Sequence, residues 1–145
     1  MADRLPLTLR AYALVTAAAT PLAQQLLSRR MRRGKEDPQR MGERRGETTA
    51  RRPAGLLVWV HGASVGELAA AIPLIERLCE RGLAILVTTG TVTSAQLAAK
   101  RLPPGVIHQF VPLDAPAFVS RFLDHWRPNL ALFVESDLWP NTIMA

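Results

Sequence analysis

Two carboxylates stand where an α/β protein keeps its chemistry. LLVWV (56–60) runs through HGASVG to Glu67, and LALFV (130–134) runs directly into Glu135. Each apolar run fits a buried strand, and an acidic group at a strand's outgoing end can act as a general base toward a hydroxyl, or as fixed negative charge beside a developing cation. Each also has an ordinary reading. Glu67 fits the first turn of a helix, where the macrodipole favours acid, and Glu135 fits a cap or a strand-end ion pair. The small residues between 61 and 67 would leave backbone N–H groups open at the strand end, the place where open parallel sheets bind ligands.

Other polar groups are expected at the same edge. Thr88, Thr89, Thr91, Thr93 and Ser94, with Gly90 among them, have the hydroxyls and backbone freedom to hold a phosphate or a sugar; a plain helix cap is the alternative. His61 at a strand end reads first as a satisfied structural histidine. Trp139, beside Pro140, is either a platform for a sugar ring or packing. Three scattered histidines and one cysteine make no metal ligand set, so no metal is expected. Neither GxGxxG nor a Walker loop is present, which leaves dinucleotide and P-loop readings without their motif. Cys79, the sole cysteine, sits among apolar residues and reads as a small buried hydrophobe in a reducing compartment.

The elements that must carry these groups follow from periodicity. Strands are expected at 56–60, 83–88, 106–111 and 130–134, and helices at 67–81, 95–102 and 115–126. Strands alternating with helices imply a parallel sheet with crossover connections, a Rossmann-like α/β domain over 55–145. Four loops then converge on one edge: 61–67, 88–94, 112–114 and 135–141. Pro73 is awkward, because a proline inside a helix removes a hydrogen bond and promotes a kink. The last residues open a helix without finishing it, so the chain is expected to be a fragment.

Charge divides the molecule. Residues 1–52 hold 12 Lys/Arg against 5 Asp/Glu, and residues 53–145 hold 6 against 7. A near-neutral folded part argues against a nucleic-acid binder, whose basic patch would sit on the domain itself. Residues 11–27 form 17 uncharged positions, followed by five Lys/Arg within 29–35. That is short of the roughly 20 apolar residues of a transmembrane helix. A membrane-associated helix over 1–33, spanning or interfacial, is the leading expectation, with the basic run against anionic lipid on the cytoplasmic side. A signal peptide, or a helix packed on the protein itself, are the alternatives. Residues 34–54 carry Gly, Pro and charge without apolar periodicity and read as a solvated linker.

Four motifs in order, HGASVGE (61–67), TTGTVTSA (88–95), FVPLDAP (110–116) and VESDLWPN (134–141), resemble the N-terminal half of the 3-deoxy-D-manno-octulosonic acid (Kdo) transferases. The apolar leader and RMGERRG (40–46) are similar to that family's membrane-proximal start. The resemblance implies the acceptor-side half of a GT-B glycosyltransferase at the cytoplasmic face of the inner membrane. Such an enzyme takes Kdo from CMP-Kdo to a lipid A precursor, inverting the anomeric centre without metal or bound cofactor. It also implies Glu67 as general base and Glu135 as transition-state stabiliser. Ser64 and Gly66 would tighten the first loop, and Thr88, Thr89, Thr91 and Ser94 would line the cleft. CMP-Kdo would be held mainly by a second domain outside this chain. The alternatives are a non-catalytic, membrane-tethered module that holds an anionic lipid or nucleotide, and a truncated product without a stable fold.

Overall fold

The computed structural model describes residues 6–135 and 138–145; Arg4 of the leader and residues 136–137 of the fourth loop lie outside the described residues. The chain runs α1 (Leu7–Ala18), α2 (Thr20–Arg32), two single-turn 3-10 helices (Pro38–Arg40 and Glu43–Arg45), β1 (Leu57–His61), α3 (Val65–Glu80), β2 (Ala84–Thr89), α4 (Val92–Arg101), β3 (Ile107–Phe110), α5 (Pro116–Trp126), β4 (Leu130–Phe133) and α6 (Pro140–Met144). All strand pairs are parallel, in the order β3-β2-β1-β4. The four expected strands are present, each within a residue of the expected bounds. α3 and α4 begin earlier than apolar spacing suggests, because Ser64 and Thr91 cap them and set their starts.

β1 is central and buried on both faces, which explains its unbroken apolar run. Its successive side chains point to opposite sides. Val58 and Val60 pack with Leu68, Ala71 and Ile75 of α3 and Ala98 of α4. Leu57 and Trp59 pack with Phe122 and Trp126 of α5. The sheet is therefore covered on both faces, as a Rossmann-like α/β arrangement requires. α3 continues through Pro73. The missing N–H there deprives only the Ala69 carbonyl, and both residues are exposed, so water can take the vacant bond. Cys79 is half-buried, and burial raises its thiol pKa, which suits an inert packing role.

The leader is two helices, not one. Pro21 occupies the first turn of α2, where its missing N–H costs nothing, and α1 stops just before it. Among the described residues no helix is long and apolar enough to cross a membrane. α1 touches α5 and α6, and Leu27 of α2 is buried. Leu7, Leu14, Val15, Leu22 and Leu26 remain exposed.

Residues 36–52 depart from the solvated connector expected on composition. Arg44 and Glu36 are 4% and 5% exposed and pair at 2.9 Å. Gly46 takes φ 75°, and a Cβ there would collide with the Phe118 carbonyl, so only glycine lets this turn lie on α5. Arg52 donates to the carbonyls of Trp126 and Arg127, closing the end of α5. Arg40 and Glu43 act on the sheet itself: Arg40 donates to the His108 carbonyl at 3.0 Å, and Glu43 accepts the Phe110 N–H at 2.7 Å. Side chains thus take ladder bonds on the outer edge of β3. On the opposite edge β4 pairs, among the described residues, only with β1, and Leu130 and Ala131 are exposed.

Candidate functional site

The carboxyl ends of the strands do deliver their loops to one edge, and hydrogen bonds between those loops fix their spacing. Gly62 N–H reaches the Thr88 carbonyl, Gly90 N–H the Ala63 carbonyl, Val111 N–H the Thr89 carbonyl and Val134 N–H the His61 carbonyl. A Cβ on Gly90 would stand 3.0 Å from the Ala63 oxygen, so the close approach of the first two loops depends on a residue without a side chain.

Glu67 is half-buried in the first turn of α3. Its Oε2 accepts the Ala63 N–H at 2.8 Å, and its Oε1 accepts the Ser64 hydroxyl at 2.8 Å. Ser64 Oγ in turn accepts the Glu67 N–H at 3.3 Å. This is a reciprocal cap, and it is legible as S-x-x-E. The structure realises the ordinary reading of Glu67 as a first-turn residue. It also fixes the carboxylate's rotamer with two donors, the condition a positioned base needs. Gly66 beside it faces open space, leaving that side of the helix start uncovered.

Glu135 follows β4 one residue after Val134, whose N–H is bonded to His61 at the end of β1. The loops that carry the two carboxylates therefore leave adjacent strands at the same edge. Glu135 is exposed and has no hydrogen-bond or ion-pair partner among the described residues.

The hydroxyls divide. Thr88, Thr89 and Ser94 have no exposed surface. Thr88 Oγ1 takes the Trp59 indole N–H and bonds His61 Nδ1, both at 2.8 Å, and Thr89 Oγ1 bonds His108 Nε2 at 2.9 Å. Ser94 and Thr91 form a capping box on α4. Buried and occupied in this way, Thr88, Thr89 and Ser94 support the second loop from beneath and do not line a surface. Of this group Thr91 and Thr93 are exposed, and the Thr91 oxygen serves the cap. His61 is buried at 2%, as a structural histidine would be.

A cavity of about 340 Å³ opens at the same edge, between α2 and the loops after β2 and β3. Ala23, Leu26, Leu27, Val111, Leu113 and Trp139 supply apolar wall, and Arg30, Glu36, Arg44 and Asp114 supply charge. Neither Glu67 nor Glu135 lines it. Trp139 is half exposed there, which suits a platform better than interior packing.

Sequence reasoning missed Arg44, Glu36 and Asp114. Asp114 accepts from Tyr12 Oη at 3.0 Å, from the N–H groups of Asn141 and Thr142, and from the Thr142 hydroxyl, so it caps α6 and ties α1 to it. Burial, then the bond to Asp114, pushes the Tyr12 hydroxyl above its ordinary pKa. Burial pulls the Arg44 guanidinium below its ordinary value and Glu36 opposes that shift. No periodic pattern marks such residues; an acidic residue just beyond a strand end is the one hint for Asp114.

A Rossmann-like α/β domain with a capped carboxylate at its ligand edge defines a broad class. The profile described as 3-deoxy-D-manno-octulosonic-acid transferase (kdotransferase) matches residues 39–145. The chain is 45% identical over 138 residues to a probable mitochondrial 3-deoxy-D-manno-octulosonic acid transferase of Arabidopsis thaliana, covering 94% of this chain and 31% of that protein. It is 35% identical over 137 residues to the 3-deoxy-D-manno-octulosonic acid transferase of Rickettsia bellii, covering 93% and 33%. With the enzyme of that name from Bordetella pertussis it shares 36% over 142 residues, covering 92% and 33%. The chain belongs to the Kdo transferase family, and it spans about a third of the length of these relatives.

Proposed function

We propose that this chain is the acceptor-side half of an inverting GT-B glycosyltransferase that moves Kdo from CMP-Kdo to a lipid A precursor. The observation that carries the reading is the Glu67 carboxylate, held at the end of β1 by the Ala63 N–H and the Ser64 hydroxyl, inside the region that matches the family. A base so placed removes the proton from the acceptor sugar's hydroxyl as its oxygen attacks the anomeric carbon. The bond to CMP breaks on the opposite face, which is what inversion demands. Glu135, exposed at the neighbouring strand end, supplies negative charge beside the cationic anomeric centre of the transition state.

The donor site lies in this reading on the part of the relatives that the chain does not match, so the 145-residue chain by itself transfers no Kdo. The exposed leucines of α1 and α2, with Arg29, Arg32, Arg33 and Lys35 exposed beside them, support seating on an anionic inner-membrane surface from the cytoplasmic side.

Glu67 substitutions in the protein extended to two domains test the reading. Glu67→Gln keeps an acceptor for the Ala63 N–H and should lower transfer by about a thousandfold with little loss of stability. Glu67→Ala should lose the same activity and also about 1 kcal/mol of cap energy, read as a fall of about 3 °C in melting temperature. If Glu67→Gln retains transfer, Glu67 is a cap and nothing more.

A further inference from the structure

The segment RMGERRG (40–46) has no place in the transfer chemistry proposed above, yet it contains the most deeply buried cation among the described residues. Arg44 reaches the sheet's carboxyl edge from a turn that lies outside the strand-helix repeat. Its Nη2 donates to the Gly90 carbonyl at 2.7 Å and its Nη1 to the Val111 carbonyl at 3.3 Å, so one guanidinium joins the loops after β2 and β3. The Arg44 carbonyl accepts the Leu113 N–H at 2.9 Å, which fastens the third loop to the same residue.

The guanidinium is itself immobilised. Glu36 holds its Nε at 2.9 Å, and Arg30 holds the other oxygen of Glu36 at 2.8 Å. The planar group lies over the Phe110 ring at 4.6 Å, a contact an ammonium would make less well. Gly46, pressed on α5, fixes the turn that presents it.

From Gly90 the connection continues to the proposed base. Gly90 N–H donates to the Ala63 carbonyl at 2.9 Å, and Ala63 N–H donates to Glu67 Oε2 at 2.8 Å. We infer that Arg44 is a positioning residue for Glu67: by clamping Gly90 it sets the height of Ala63, whose N–H orients the carboxylate. A base displaced by an ångström loses much of its effect, so a residue that does not touch the carboxylate would control the site. The inference rests on the reading of Glu67 as base for its functional meaning, but the mechanical link does not depend on turnover.

The test is amide hydrogen exchange by NMR on the 145-residue chain, comparing the parent with Arg44→Lys. Lysine keeps the buried positive charge opposite Glu36, so the fold survives, but a single ammonium cannot span both loop carbonyls. The expected result is exchange about tenfold faster at Ala63 and Gly90, with Val58 and Val60 within twofold of the parent. Equal acceleration at all four amides, or none at Ala63 and Gly90, overturns the inference and leaves Arg44 as a general stabiliser. A second measurement needs no variant. Scalar coupling across the Gly90 N–H to Ala63 carbonyl bond should be detectable in the parent, and its absence breaks the link directly. Retained transfer by Glu67→Gln would sink the catalytic reading while leaving this exchange pattern intact, so the two failures are separable.

Discussion

His108 shows what one buried ring asks of its surroundings. Its Nδ1 lies 3.1 Å from Arg40 Nη2, which can only donate, so Nδ1 accepts and the imidazole is neutral, with Nε2 donating to Thr89. Burial, then the charge of Arg40, lowers its pKa to about 4. Above the unfolded value of about 6.5 both states are neutral and the contribution is complete. As pH falls from there toward 4 the unfolded chain takes up a proton that the folded chain refuses, so stability falls, by about 3 kcal/mol over the window. The urea midpoint of the parent should therefore drop more steeply between pH 7 and 4.5 than that of His108→Gln. Parallel curves would show that the ring titrates normally. Of the three histidines the sequence ranked only one. His61 was legible as structural because it ends an apolar strand, whereas Arg40, the cation beside His108, comes from a turn nearly seventy residues earlier and follows no periodicity.

At the scale of elements, strands and helices were readable because apolar spacing is set by the sheet's two faces and the helix's one. The starts of α3 and α4 were readable in principle from Ser64 and Thr91, since a cap acts over three residues. The segment at 36–52 was not. Its stability comes from ion pairs, a ring contact and backbone carbonyls gathered from three loops, none of which leaves a local pattern. Two glycines separate the causes. Gly34 at φ 68° has open space around it, so Gly34→Ala should cost about 1 kcal/mol from backbone strain alone. Gly46→Ala adds the collision with Phe118 on α5 and should cost about 3 kcal/mol. Equal losses in chemical denaturation would mean that the turn can lift off α5 freely.

For the whole molecule, the uneven charge read from the sequence has two destinations. Arg30, Arg40, Arg44, Arg45 and Arg52 are spent on internal carboxylates and carbonyls. Arg29, Arg32, Arg33 and Lys35 are exposed and without an ion-pair partner among the described residues, each worth about 1 kcal/mol at an anionic bilayer surface. Vesicles containing phosphatidylglycerol should bind the chain at low salt and release most of it at 1 M NaCl, where charges are screened within about 3 Å. Leu14→Ser, at a position 72% exposed, should weaken binding about tenfold without altering stability. Binding insensitive to both salt and Leu14 would remove the membrane proposal. The two flanks of the sheet, finally, are not equivalent. Arg40 and Glu43 already occupy the His108 carbonyl and the Phe110 N–H beyond β3, whereas among the described residues β4 has no strand on its outer side. The sheet is thus asymmetric at its margins: side chains from one turn already satisfy two backbone groups along the first flank, and a strand docking there would have to displace them.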